Sequence, residues 1–269
     1  MGDEGKGRLI HEVIQEISEI EEDPHRVGMV MKVNGGSNSG HSAVGLKLNL
    51  LPCGVAEPNV EVLGIGAGVV ADPRKIWWEM RPLEVDNRYE IFSRLLIDER
   101  CMVSDLNHRL LDLGCEYYRH QVLGGEPRGS TGRGISPAYT DETSQGQIFF
   151  QAFCESKDQF VQQLRRRTRQ ALALIQHVYQ VTPEAWFEFF TTLTEAETRA
   201  NQDAIQARIF DRGEFDFHVF SDPSEPFQLD FDTLVEVYWN AGSALAPAIG
   251  DIREATFRML QEGKFVIGE

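Results

Sequence analysis

Three short segments combine small residues with groups that can do acid–base or phosphate chemistry. The first opens the chain as GDEGKG over residues 2–7. Glycines let the backbone approach an anion closely, and the N–H groups at a helix start favour negative charge. Lys6 can reach a phosphate, whereas Asp3 and Glu4 would repel it. A carboxylate beside a phosphate is therefore a Mg²⁺ ligand or a base. A plain surface helix start is the alternative interpretation.

The other two segments also join glycines to polar groups. Residues 35–42 read GGSNSGHS and follow a predicted strand. They form either a nucleotide loop in which His41 donates a proton or hydrogen bond to a reacting oxygen, or a flexible turn with an exposed histidine. Residues 129–139 read GSTGRGISPAY, and hydroxyls, glycines and one arginine suit a phosphate monoester. Such loops are also common without any ligand.

The elements that must position these segments follow from hydrophobic periodicity and from helix start and stop signals. In the first half we predict helices at 7–22, 74–84 and 105–123, the last with Asp105 as its N-cap, and strands at 28–33, 45–51, 60–65 and 94–97, followed by a polar, glycine-rich segment over 124–142. In the second half we predict helices at 156–180 and 183–206 separated at Pro183, a strand at 214–220, mostly helix over 229–262 with a break between Gly242 and Gly250, and a strand at 264–268.

Strands that alternate with helices indicate an α/β protein with a mainly parallel central sheet flanked by helices. Ligands of such sheets bind at the carboxyl ends of the strands, where the loops gather. Both glycine-rich segments near the N-terminus are candidates for loops of that kind.

Composition limits the function classes. The chain has 269 residues, and 26 Lys and Arg against 42 Asp and Glu give a formal net charge of −16. This acidity argues against a nucleic-acid partner, although it leaves room for a local basic pocket. The sequence has neither a membrane-length apolar run nor a signal peptide, so we expect a cytoplasmic protein without a membrane partner. The four cysteines are scattered and are expected to be reduced.

Five ordered motifs together resemble the adenylosuccinate synthetase family. They are GDEGKG (2–7), GGSNSGHS (35–42), LLPCG (50–54), GIGAGVVADP (64–73) and STGRGISPAY (130–139). The resemblance is strong over residues 1–145 and weaker over 156–269. It implies a P-loop-like adenylosuccinate synthetase fold, here incomplete, with a nucleotide-binding part at 1–145, a mainly helical segment at 146–263 and the start of a strand at 264–269.

The resemblance implies a ligase of AMP biosynthesis that acts as a homodimer. GTP would phosphorylate the 6-oxygen of IMP, and the amino group of L-aspartate would then displace that phosphate to give adenylosuccinate, GDP and phosphate. Asp3 would take the proton from purine N1, and His41 would act as the acid that stabilises charge on the 6-oxygen and the γ-phosphoryl group. Mg²⁺ would be the cofactor, held by Asp3 and the Gly40 carbonyl.

The resemblance also implies binding residues for each nucleotide. GTP would contact Gly2, Asp3, Glu4, Gly5, Lys6, Gly7, Arg8, Gly40, His41 and Ser42. IMP would contact Asp3, Glu4, Gly5, Lys6, Asn38, Ser39, Gly40, His41 and Thr131, with Thr131 holding its phosphate.

Departures from the family pattern leave alternatives open. The family's strand before GDEGKG and its GAQG loop after residue 269 are missing, so we expect a fragment that would be inactive alone. Gln145 stands where the family has the arginine that reaches IMP phosphate across the dimer. The alternatives are a viral-type enzyme that makes 2-aminoadenylosuccinate from dGMP, a non-catalytic nucleotide-binding remnant, and a GTPase-like switch. The intact Asp3 favours IMP.

Several conspicuous groups are interpreted as structural. A basic cluster is expected to be a solvated helix face, an aromatic cluster to be core or dimer packing, and three alternating carboxylates to face solvent. These sets are Arg165, Arg166, Arg167 and Arg169; Trp186, Phe187, Phe189 and Phe190; and Asp211, Glu214 and Asp216.

Overall fold

The computed structural model describes residues 6–38, 40–43, 45–85, 89–126 and 128–269, with Lys6 and Ala43 described by their backbone only. Contacts divide the chain into two compact units. The first unit comprises Met1–Val103, Phe149–Glu155 and Gly242–Glu269, and the second comprises Ser104–Ile148 and Ser156–Ala241. The sequence-based division uses residues 145 and 263, whereas the contact-based units change at residues 103, 148, 155 and 241, and the last segment of the chain returns to the sheet of the first unit.

A parallel sheet forms the centre of the first unit, which confirms the predicted fold class. Its strands lie in the order β7 (Ile249–Gly250), β5 (Leu95–Asp98), β4 (Val62–Ala71), β1 (Val27–Gly36) and β8 (Phe265–Gly268), and β6 (Met102–Val103) pairs with β4. All of these pairings are parallel. Val30, Leu63 and Ile65 are fully buried, as expected for strands covered on both faces.

A β-bulge interrupts the pairing of β1 with β4. Lys32 pairs with Ile65 and Asn34 pairs with Gly68, so that Gly66 and Ala67 together oppose Val33. A Cβ atom on Gly66 would lie 2.7 Å from the carbonyl oxygen of Lys32. Glycine at this position therefore allows the close approach of the two strands beside the bulge.

The α-helices that the described part of the chain places wholly in the first unit are α1 (Lys6–Ile20), α2 (Pro73–Glu84), α3 (Ile91–Arg94) and α10 (Ile252–Gln261). Helix α10 buries Ile252, Ala255 and Met259 against Met29 of the sheet. The Asp72 carboxylate accepts a hydrogen bond of 2.9 Å from the Arg74 N–H and caps α2, which begins with a proline. The predicted helices at 7–22 and 74–84 and the strand at 264–268 are thus confirmed.

The second unit is helical. It contains α4 (Leu106–Tyr117), α5 (Ile135–Thr143), α6 (Lys157–Ala173), α7 (Pro183–Ala200), α8 (Gln202–Gln206) and most of α9 (Phe231–Ser243). Asp105 caps α4 as predicted and forms a capping box with His108. Single π-helical turns extend α4 over Tyr118–Val122 and α6 over Leu174–Val178. Among the described residues, no helix has both the length and the apolar character needed to cross a bilayer.

Three local predictions differ from the structure. The strand predicted at 214–220 is wrong: two short 3₁₀ turns, Arg212–Phe215 and Phe217–Phe220, lie there. The Asp216 carboxylate accepts from the His218 N–H at 2.9 Å, a local bond that competes with strand pairing. The polar segment 124–142 includes most of α5, and the predicted strand at 45–51 is reduced to β3 (Leu46–Leu48).

The interpretation of Arg167 as part of a solvated face is also wrong. Its side chain is 3% exposed and forms ion pairs with Asp105 at 2.7 Å and Asp141 at 2.9 Å. The aromatic cluster on α7 supplies core residues, since Trp186 and Phe190 are fully buried.

Candidate functional site

The carboxyl end of β1 leads directly into the glycine-rich segment that the sequence singles out. Residues 35 and 36 of this segment still belong to β1, and a turn at residues 37 and 38 follows. The chain then forms a hairpin of β2 (His41–Ala43) and β3, in which His41 pairs with Leu48. This connection places the imidazole of His41 at the edge of the sheet where ligands of parallel α/β proteins bind.

Two charged side chains flank the His41 ring. The Lys32 Nζ atom lies 3.4 Å from His41 Nδ1, and the Glu269 Oε1 atom lies 3.8 Å from His41 Nε2. The His41 side chain is only 9% exposed and that of Glu269 is 4% exposed. The ring is therefore held in a largely desolvated setting where nearby charges act strongly.

Glu269 also orders the LLPCG motif. Its carboxylate oxygens accept hydrogen bonds from the Cys53 backbone N–H at 3.1 and 3.3 Å. Burial and the neighbouring Glu269 carboxylate raise the pKa of the Cys53 thiol well above its ordinary value. Cys53 therefore remains a protonated thiol near neutral pH.

The side chains of His41, Cys53 and Glu269 place their ligating atoms within 4.8 Å of one another. An imidazole that binds a metal through Nε2 carries its proton on Nδ1. Here the Lys32 Nζ atom lies 3.4 Å from Nδ1, the nitrogen that would have to carry that proton. A metal bound at Nε2 would therefore turn an Nδ1–H group toward the Lys32 ammonium, which has donors only, so the surroundings of His41 do not favour that coordination.

The predicted site residues are distributed as follows. Gly2, Asp3, Glu4, Gly5 and Ser39 lie outside the described residues, as does the side chain of Lys6. Asn38, Gly40 and Ser42 are exposed around His41, and Gly7 is buried in the first turn of α1. The exposed Arg8 forms an ion pair of 2.7 Å with Glu12. Of the predicted loop at 38–42, the structure thus describes Asn38, Gly40, His41 and Ser42.

The predicted phosphate loop lies in the second unit and is held by buried charges. Arg109 donates to the Gly132 carbonyl at 2.9 Å, and Gly134 N–H donates to Asp112 at 3.1 Å. Gly134 adopts a φ of 73°, and a Cβ there would meet His108 at 2.6 Å. Thr131 is exposed on this loop, where its hydroxyl can reach a ligand.

The segment that contains Arg133 predicts an arginine that binds a phosphate, but the structure places this side chain in an ion pair. Its guanidinium forms an ion pair with Glu197, which is fully buried and also pairs with Arg109 at 2.9 Å. Arg133 thus helps to anchor the loop to α7 within the second unit.

Sequence reasoning missed Lys32, Glu79 and Glu269 at the His41 site. Lys32 carried a usable signal, because a lysine interrupts the otherwise apolar GMVMKV run of a buried strand. The two glutamates carried none, since they are separated from their partners by 28 or more residues.

The fold and site define an α/β protein with a glycine-rich loop and a largely buried histidine at the carboxyl edge of a parallel sheet. A sequence model of the adenylosuccinate synthetase family matches residues 1–214. Adenylosuccinate synthetase of Hahella chejuensis is 31% identical over 205 residues, which are 75% of this chain and 43% of that protein. The Haemophilus influenzae protein of the same name is 33% identical over 191 residues, 68% of this chain and 39% of its own.

The chain belongs to the adenylosuccinate synthetase family. Its fold is similar to that of the fully ligated adenylosuccinate synthetase from Plasmodium falciparum, with a TM-score of 0.64 and 20% sequence identity. That match covers 100% of this chain and 48% of the other. The chain thus spans less than half the length of the relatives that it matches.

Proposed function

We propose that the protein containing this chain ligates L-aspartate to the 6-position of IMP in a GTP-dependent reaction. GTP phosphorylates the 6-oxygen of IMP, and the aspartate amino group then displaces the phosphate to yield adenylosuccinate, GDP and phosphate. The observation that carries this proposal is the placement of His41. In a chain of this family, its ring lies at the carboxyl edge of the sheet between Lys32 and Glu269.

The first step needs a base and an acid on the same edge of the purine. A purine 6-oxygen is a poor nucleophile until N1 loses its proton, and Asp3 takes that proton. His41 donates from Nε2 to the oxygen or to the γ-phosphoryl group, where negative charge develops. Such preorganised donors stabilise the transition state because they need no reorganisation during the reaction.

The residues assigned to Mg²⁺ suit that ion. The Asp3 carboxylate and the Gly40 carbonyl are hard oxygen ligands, which Mg²⁺ prefers. When bound, Mg²⁺ would neutralise phosphate charge beside Asp3 and His41. Residues 2–8 and 40–42 bind GTP in this proposal, and residues 3–6, 38–41 and 131 bind IMP.

We extend the proposal to a homodimer in the cytoplasm. All four cysteines are free thiols, in keeping with a reducing compartment. The dimer rests on family resemblance, and analytical ultracentrifugation tests it directly.

A variant of the proposed base tests the mechanism. Asp3→Asn keeps the size of the side chain but removes the proton acceptor, so we expect turnover to fall by at least about 100-fold, the lower range of general-base contributions. Binding of IMP by calorimetry should persist. The assay uses the protein expressed from the complete reading frame, with aspartate and Mg²⁺ present. Separate reactions combine IMP or dGMP with GTP or ATP. Undiminished turnover in the variant would remove Asp3 as the base.

A further inference from the structure

Lys32 is a buried cation in the middle of the sheet. It is 4% exposed and follows Val30 on the same face of β1, where Val30 packs against the Gly54 turn. An ammonium in such a place requires polar partners, because burial of an unpaired charge is costly. The carbonyl of Asn49 is one of these partners and accepts a hydrogen bond from Lys32 Nζ.

A second buried charge holds that carbonyl in place. The carboxylate of Glu79, on α2, accepts hydrogen bonds from the backbone N–H groups of Asn49, Leu50 and Leu51, the last two at 2.8 and 2.7 Å. It also accepts from the Asn49 side-chain amide at 3.1 Å. Glu79 thus orients the loop after β3, and the Asn49 carbonyl of that loop directs the Lys32 ammonium.

The oriented ammonium lies beside one nitrogen of His41. A lysine ammonium has three donors and no acceptor, so at 3.4 Å it interacts favourably with Nδ1 only when that nitrogen offers its lone pair. A neutral imidazole then carries its single proton on Nε2. Nε2 faces Glu269 at 3.8 Å, and this carboxylate favours a proton on the nitrogen that it faces.

We propose that Lys32 is a positioning residue that holds His41 in the tautomer protonated at Nε2. The value of this tautomer for catalysis rests on the proposed function, in which Nε2–H is the donor to the reacting oxygen. Lys32 acts through His41 and need not touch a substrate.

The tautomer can be measured directly in the chain as it stands. Two-bond ¹H–¹⁵N correlation spectra of the protein labelled with ¹⁵N-histidine distinguish Nε2–H from Nδ1–H imidazoles, and a His41→Gln sample assigns the His41 signals. The unsubstituted chain should show the Nε2–H pattern for His41 at a pH where the ring is neutral. An Nδ1–H pattern would overturn the proposal without any variant.

Three substitutions separate positioning from general stability. Lys32→Met removes the donor and should move the ¹⁵N shifts of the two His41 nitrogens toward each other, as the second tautomer becomes populated. Lys32→Arg keeps a donor and should restore the original pattern. Lys47→Met, at the exposed lysine of β3 beside His41's hairpin partner Leu48, is the matched control and should change nothing. Unchanged His41 shifts in a folded Lys32→Met protein would contradict the proposal.

Turnover measured with the protein expressed from the complete reading frame complements the NMR measurement. Lys32→Met should lower kcat by about 10-fold or more, a part of the general-acid contribution, with KM for IMP changed far less. Lys32→Arg should recover most of kcat. An Nε2–H pattern in a protein without ligase activity would leave the positioning role standing and reject the proposed function.

Discussion

A buried carboxylate holds the loop over residues 129–139 in place. The fully buried Glu197 carboxylate pairs with Arg109 and Arg133, and Arg109 donates a hydrogen bond to the Gly132 carbonyl. Removal of one partner from a buried ion pair is costly because the remaining charges are left without compensation.

Glu197→Ala should therefore destabilise the protein strongly. We expect the free energy of unfolding to fall by roughly 3–5 kcal/mol, the usual cost of breaking a buried ion pair. Urea denaturation followed by tryptophan fluorescence measures the change. Glu188→Ala, at an exposed position on the same helix, should alter it by less than about 0.5 kcal/mol. Equal losses in both variants would show that the buried pairs contribute nothing specific.

Asp105 predicts how stability depends on pH. Burial alone raises the pKa of its carboxyl, but Arg167 and His108 outweigh burial and hold the pKa below its ordinary value of 3.8. The unfolded chain therefore binds this proton at a higher pH than the folded chain does. The stabilisation is complete above the ordinary pKa and is lost as the pH falls through the lower folded value.

The expected result is a fall in the free energy of unfolding as the pH is lowered below about 4, with one carboxyl contributing at most roughly 1.4 kcal/mol per pH unit. Asp105→Asn should be less stable at pH 7 and should show a shallower slope in this range. Asp203→Asn, at an exposed position, should keep the original slope. An Asp105→Asn protein with an unchanged slope would refute the assignment.

At the residue scale, the sequence predicted features that depend on residues adjacent in the chain. The glycine-rich spacing predicted a turn with His41 directly after a strand, and in the structure a turn at residues 37 and 38 follows β1 while His41 begins β2. Lys32, Glu79 and Glu269 escaped prediction because their roles arise from contacts between distant parts of the chain. The prediction that Arg167 faces solvent is wrong for the same reason, because its Asp105 partner lies 62 residues away in the sequence.

At the element scale, β4 depends on its glycines. Gly66 lies in the bulge opposite Val33, and an added Cβ would meet the Lys32 backbone oxygen. Gly66→Ala should destabilise the protein by about 1–3 kcal/mol, as overpacking does. Because the clash falls on Lys32 itself, the His41 signals should also shift in the NMR spectra.

Gly213→Ala is the control for this substitution. A Cβ at Gly213 meets no atom within 4 Å, so we expect a change within about 0.5 kcal/mol. Thermal unfolding of the two variants provides the comparison. A Gly66→Ala protein as stable as the Gly213→Ala protein would contradict the close packing at the bulge.

Most elements were predictable because their periodicity agrees with their environment. Helix α1 and the strands β1 and β8 follow their apolar patterns closely. The error at 214–220 has a physical origin: Phe215, Phe217 and Phe220 are all buried through two tight turns, and their spacing imitates strand alternation only in part. Local capping hydrogen bonds stabilise these 3₁₀ turns, and a rule based on alternating hydrophobicity does not take such bonds into account.

For the whole molecule, the parallel sheet and the family were predictable, whereas the division into units was not. Residues 242–269 return to the first unit and contribute β7, α10 and β8, so contiguous segments do not describe it. The fold could be predicted because five family motifs occur in order along the chain. The match of the family model over residues 1–214 confirms the family. The assignment of the activity remains the proposal that experiment must decide.

One measurement tests that proposal most directly. The protein expressed from the complete reading frame is incubated with IMP, GTP, L-aspartate and Mg²⁺, and adenylosuccinate is quantified by chromatography. The His41→Asn and Lys47→Met proteins are assayed in parallel. The account predicts adenylosuccinate and GDP in equal amounts, unchanged formation in Lys47→Met, and a loss of at least about 100-fold in His41→Asn. An absence of adenylosuccinate from the folded protein, or full activity without the His41 imidazole, would contradict it.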